Sequence, residues 1–204
     1  MTTTSESGAR TALTPRGEAT RTRLIEAAEG VFGEFGFDRA SVAEITRRSG
    51  VSQGTFYLYF TSKKKIFSEL VDQFGRELRR WVSEAIAECD TRSDIERRGF
   101  EAFFEFVEMH PALYRIVRQA EFVDPDAFRR YYETFAEGYI QGLDKAVASG
   151  EVSDLDTEVV AWCLMGMGDL IGVNWLLLKD GEVPSTVLDT VMELLHRGLF
   201  KKRE

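Results

Sequence analysis

The chain of 204 residues is poor in the side chains that usually hold metals or carry catalysis. Its two cysteines, Cys89 and Cys163, lie far apart without metal-ligand spacing, which argues against a disulfide framework or zinc module and fits a reduced, cytoplasmic setting. His110 and His196 are isolated, so no metal site is expected. There is no G-x-S-x-G elbow and no glycine-rich phosphate loop after a strand; neither an enzyme nor a cofactor is expected. Strand-type alternation is also missing, which leaves helical periods throughout and an all-α fold class. No apolar run near the start is long enough for a secretory signal, and residues 1–15, rich in Thr and Ser, read as a disordered arm. The segment 159–178 is largely apolar, but Asp169 and Asn174 lie inside it. An Asp at mid-bilayer costs about 2.5–3.5 kcal/mol, so a central or interfacial helix is expected, with no membrane partner.

The net charge of −8 is unevenly spread. Residues 1–80 hold 13 Lys and Arg against 10 Asp and Glu, and residues 81–204 hold 13 against 24. A basic end on an acidic body suits phosphate contacts at one end only.

That basic end carries punctuation for short helices. Leu24, Ala28, Val31, Phe32 and Phe35 fall on one helical face, which Gly36 closes in the left-handed conformation. Ser41-Val42-Ala43-Glu44 is a capping box, in which Ser41 accepts the Glu44 N–H and the Glu44 side chain returns to Ser41. The helix it opens ends at Gly50, Val51 returns to the core, and Ser52 caps a third helix to about Tyr59. Two short helices joined by a glycine-bearing turn form the unit whose second helix enters a DNA major groove. Gln53, Gly54, Thr55 and Tyr57 make its outer face: Gln can pair with adenine, a Thr methyl can touch thymine, and Gly lets the backbone approach. Ser62 caps a fourth helix with Lys63, Lys64 and Lys65 in its first turn, where the helix dipole disfavours cations and a phosphate is the natural partner. Arg10, Arg16, Arg21 and Arg23 suit either backbone or minor-groove contact or a solvated tail.

These residues, from Arg21 to Leu70, resemble the TetR family of bacterial transcriptional regulators. The resemblance implies a homodimer: an N-terminal three-helix helix-turn-helix DNA-binding domain joined by a long helix to a C-terminal helical ligand-binding and dimerisation domain. It implies a repressor that binds a palindromic double-stranded DNA operator and is released by a small molecule. Gln53, Thr55 and Tyr57 match positions that meet bases or nearby phosphates, and Gly54 a close backbone approach; Ser52 opens that helix. Ser41, Tyr59 and Lys63 match phosphate positions. Leu58 and Tyr59 depart from the aromatic and His common there, so base preference does not carry over from relatives.

The expected division is an arm over 1–15, the DNA-binding domain over 16–62, a connecting helix over 63–89 and the distal domain over 90–204. Further helices are expected over 95–109, 112–121, 125–149, 154–178 (capped by Ser153 or Asp154) and 185–199. The resemblance puts the dimer interface on the last two, where Gly168 and Gly172 suit close approach to a partner or packing within one subunit. Crowded aromatics beside Met109, Met165 and Met167 suggest an apolar cavity. A hydrophobic ligand, such as a fatty acyl chain or an aromatic compound, is expected against Phe103, Phe104, Val107, Tyr131, Phe135, Trp162, Met165 and Asp169. Asp169 either meets the ligand or pairs with an Arg or Tyr. The competing possibility is an architectural DNA-binding protein with no effector.

Overall fold

Helix starts in this chain are set by short oxygen-bearing side chains, each accepting an N–H that the first turn leaves unpaired. In the computed structural model, which describes residues 14–179 and 181–200, Thr14, Ser41, Ser52 and Ser62 do this for α1 (Pro15–Arg39), α2 (Val42–Ser49), α3 (Gln53–Tyr59) and α4 (Lys63–Ala85). Thr91, Asp124 and Asp156 do it for α5 (Arg92–Met109), α7 (Pro125–Ala148) and α8 (Thr157–Gly172). Helices α6 (Leu113–Val123) and α9 (Ser185–Gly198) start without such a bond. Helix α8 runs on into a π-helical turn, Val173–Leu178. Among the described residues the only extended pairing is an antiparallel bridge between Val152 and Phe200.

Several boundaries differ from expectation. Most of the arm expected over 1–15 lies outside the described residues, but Thr14 and Pro15 already cap and open α1. Helix α4 stops at Ala85 rather than running to residue 89. Helix α5 starts earlier than expected, because Thr91 accepts the Asp94 N–H at 3.1 Å. Helix α8 starts later, because the Ser153 N–H donates to Leu199 O at 2.9 Å, the Leu155 N–H bonds back to Ser153 O, and Asp156 is the residue that caps the helix.

Gly36 breaks α1 near its end, with φ 71° and ψ 169°. This is not the left-handed closure expected but a region open essentially to glycine alone. The chain turns there and Phe37 folds back, its ring 5.9 Å from that of Phe32 and edge-on to Phe67 at 5.1 Å.

The core does not part at the expected domain boundary. One continuous cluster joins Phe32 of α1, Ile45 of α2, Phe56 of α3 and Phe67 and Phe74 of α4 to Val107 of α5, Ile116 of α6 and Tyr131 of α7. A second cluster, with Phe100, Phe104, Leu143, Leu164 and Val191, binds α5, α7, α8 and α9. Gly168 and Gly172 serve packing within the chain: a Cβ on Gly172 would stand 1.9 Å from the Tyr114 hydroxyl, and one on Gly168 would touch Phe100 at 3.4 Å. The run Thr157–Leu178 is long and apolar enough by composition to cross a membrane. In this fold it packs along α5 and α7 and buries Ala161, Leu164, Gly168 and Gly172.

Gly36→Ala should therefore destabilise the fold by about 1–3 kcal/mol, read as a lower urea midpoint. An unchanged midpoint would show that the elbow at Gly36 relaxes without strain.

Candidate nucleic-acid interface and ligand cavity

The α2–α3 unit is assembled by local bonds. Ser41 Oγ accepts the Glu44 N–H at 3.1 Å, but the Glu44 carboxylate turns to Arg47 and Arg48 instead of back to Ser41. The two guanidinium hydrogen bonds, Arg47 first, lower the Glu44 pKa to about 2. Gly50, with φ 66° and ψ 26°, closes α2. Ser52 Oγ accepts the Thr55 N–H at 3.1 Å and lies 2.8 Å from the Thr55 hydroxyl. Phe56 and Phe60 point into the core, which turns Gln53, Gly54, Tyr57 and Leu58 outward, with Thr55 and Tyr59 half-buried at the margin. Tyr57 is 54% exposed and Leu58 83%. Ser41 is exposed on the neighbouring helix start. The expected face of polar groups is thus presented together, with an apolar tip, Leu58, that pattern reading had set aside.

Lys63 departs from the phosphate position expected of it. Its ammonium turns inward and donates to the carbonyls of Phe37 (2.6 Å), Ala40 (2.9 Å) and Asp38 (3.3 Å), lying 4.4 Å from the Phe37 ring centroid. The positive charge so awkward at the start of α4 is absorbed by three oxygens of the α1–α2 elbow. Lys64 and Lys65 are both exposed, Lys65 lying 3.6 Å from Glu69. Of the N-terminal arginines, Arg21 pairs with Glu69 and covers Phe60, while Arg16 and Arg23 are exposed; Arg10 lies outside the described residues.

In the distal half, a cavity of about 70 Å³ lies between α4, α5, α6, α7 and α8. It brings together five residues singled out from the sequence: Phe103, Tyr131, Phe135, Met165 and Asp169. Phe104 and Val107 point instead into the packed cores, and Trp162 lies exposed, its ring stacked on Tyr132 at 6.2 Å. Leu78 and Val82 of α4 and Tyr114 and Val117 of α6 also line it, and none of these had been assigned to the ligand from the sequence. Burial raises the Asp169 pKa against the pull of Arg118, which donates to it at 3.1 Å. The Tyr114 hydroxyl donates to the Asp169 carbonyl at 3.2 Å. Burial also pushes the Tyr132 phenol up to about 12, and the only charged side chains on this wall are the paired Asp169 and Arg118. Val82, Gly99, Phe135 and Tyr139 are shared with a larger cavity of about 610 Å³ between α4, α5 and α7. The two together fall in the size range of small-molecule sites. Among the described residues no cluster of His, Cys, Asp or Glu is arranged to hold a metal.

Residues 24–70 match the family model described as bacterial regulatory proteins, tetR family. An uncharacterised HTH-type transcriptional regulator of Bacillus subtilis (strain 168), YdgC, is 32% identical over 194 residues, covering 92% of this chain and 96% of the relative. The fatty acid metabolism regulator protein of the same organism is 27% identical over 187 residues, covering 88% and 95%. The crystal structure of the transcriptional regulator FadR from Bacillus subtilis in complex with stearoyl-CoA superposes with a TM-score of 0.74 at 24% identity, covering 85% of this chain and 96% of that one.

Removing the inward charge tests the elbow. Lys63→Met should cost about 1.5–3 kcal/mol, the worth of hydrogen bonds from a charged donor, in urea unfolding; an unchanged midpoint would place the ammonium in solvent.

Asp169 gives a pH signature. A carboxyl that is a weaker acid when folded costs stability above its folded pKa and none below its unfolded one. Asp169→Asn should therefore raise stability at about pH 7.5 and lose that advantage by about pH 4. A variant less stable than wild type at the higher pH would mean that the Arg118 pair outweighs burial.

Proposed function

Because the chain belongs to the TetR family of bacterial regulatory proteins and is a DNA-binding transcription regulator, we propose that it acts in the cytoplasm as a homodimeric repressor released by an apolar ligand. It reads a palindromic operator through α3 and leaves it when the ligand fills the cavity behind α4. The reading rests above all on the outward face of α3, where Gln53, Gly54, Tyr57 and Leu58 stand together in solvent while Phe56 and Phe60 hold the helix on the core. Gln53, Thr55 and Tyr57 meet base edges or neighbouring phosphates, Gly54 lets the backbone close in, and Ser41, Ser52, Tyr59 and Lys64 hold the phosphates. Lys63 supports the interface from beneath.

The dimer forms through α8 and α9. Val159 (58% exposed), Leu170 (64%) and Leu194 (57%) support this, since exposed apolar side chains on two long helices favour a partner. The ligand is a long apolar molecule, and a fatty acyl thioester is the leading class because one relative is named for fatty acid metabolism and one structural neighbour was solved with stearoyl-CoA. The apolar cavity walls suit such a chain. No catalytic role is proposed.

The test begins with selection of bound duplexes from a random-sequence pool, followed by titration of the best site at two salt concentrations. A palindromic site with steep salt dependence is expected, Tyr57→Ala weakening it roughly tenfold or more, and Lys64→Gln lowering the salt slope by about 1. Replacing single thymines by deoxyuridine should cost wild-type affinity at the base beneath Leu58 but not that of Leu58→Ala. Diffuse, sequence-blind binding would favour the architectural alternative.

A further inference from the structure

We propose that the ligand is an anionic amphiphile and that Arg79 of α4 receives its acidic group in the larger cavity. This rests on the apolar-ligand reading above and adds the charge of the ligand and the residue that answers it.

The two adjoining cavities differ in character. The inner one is walled by Leu78, Phe103 and Tyr131 and offers little to a polar group beyond the paired Asp169 and Arg118. The larger one, across the shared wall of Val82, Phe135 and Tyr139, adds charged side chains to an otherwise apolar lining. The buried ones other than Arg79 already have partners. Arg92 and Glu96 are buried against each other, and the Tyr139 hydroxyl donates to Glu96. Glu151 accepts from the Arg92 N–H at 2.8 Å and from Ser149 at 2.9 Å. Asp90 and Lys145 stand exposed at the mouth.

Arg79 is different. It is half-buried, and among the described residues it makes no hydrogen bond and no ion pair. One guanidinium nitrogen lies over Gly75, 3.1 Å from where a Cβ would stand, beside the Tyr131 ring. Tyr131 walls the inner cavity, so Arg79 sits where the two spaces meet. Burial, with Arg76 nearby, lowers its pKa despite the more distant pull of Asp72 and Glu137, neither of which forms an ion pair with it. A half-buried guanidinium that no carboxylate touches directly keeps donors that a bound carboxylate or phosphate can fill.

An apolar tail in the inner cavity therefore places an acidic head within reach of Arg79. The pair forms on the helix whose first turn, about 24 Å away along its axis, carries Lys63.

The probes are dodecanoate and 1-dodecanol, equal in chain length and different in charge, titrated into the full chain and its Arg79→Gln and Arg79→Lys variants. Arg79→Gln should weaken dodecanoate about tenfold or more and leave 1-dodecanol unchanged, and Arg79→Lys should recover part of the loss. Unchanged dodecanoate affinity in Arg79→Gln overturns the assignment, and so does an equal loss of both probes, which would mean that Arg79 acts through packing. If neither probe binds the wild-type protein, the apolar-ligand reading falls and the anchor with it.

Discussion

The backbone of a single residue, Phe37, is gripped from both sides. Its carbonyl accepts from the Lys63 ammonium at 2.6 Å and its N–H donates to Gln119 Oε1 at 2.6 Å. Lys63 belongs to the first turn of α4 and Gln119 to α6, so the elbow after Gly36 is fixed to two elements that also border the cavity. Arg115, one turn before Gln119, donates to the Gly33 carbonyl at 3.1 Å and ties α6 to α1 a second time. The direction in which α2 and α3 leave α1 depends on this grip, because the backbone at Gly36 has no rigidity of its own.

Helix α6 is therefore two-faced. Tyr114, Val117 and Arg118 border the cavity, while Ala112, Arg115 and Gln119 meet α1 and the elbow. Helix α4 spans the same distance by another route, from Leu78 and Val82 at the cavity to Lys63 at the elbow. A displacement of the cavity wall reaches the elbow through both helices. Close packing makes such a shift a choice between discrete arrangements rather than a continuous bend.

Much of this was legible in the sequence because it is local. Ser41, Ser52 and Ser62 cap the helices they were expected to cap, Gly50 takes the turn conformation, and the period of α3 separates Phe56 and Phe60 from Gln53 and Tyr57. What escaped depends on reach across the fold. Nothing in a run of three lysines tells that the first bends onto carbonyls of another helix while the second stays in water. Glu44 keeps its place in a capping-box pattern yet prefers two guanidinium groups to one amide. Seven of the eight residues assigned to the ligand, all but Asp169, share aromatic or apolar character, but α5 is covered on several sides, so Phe103 faces the cavity while neighbouring Phe104 faces the other core. Gly168 and Gly172 were ambiguous for the same reason: a small residue marks a close neighbour without saying whose it is.

The unbroken core from Phe32 to Tyr131 bears on how such regulators can be recombined. The DNA-reading unit is not a detachable cartridge, since α1 has matched itself to Ala112, Arg115 and Gln119 of the body, where a Cβ on Gly33 would stand only 2.6 Å from that of Ala112. A chimera that grafts these first helices onto a different sensor inherits a mismatched joint unless the facing side of α6 travels with them. The portable piece is the head together with its half of the hinge.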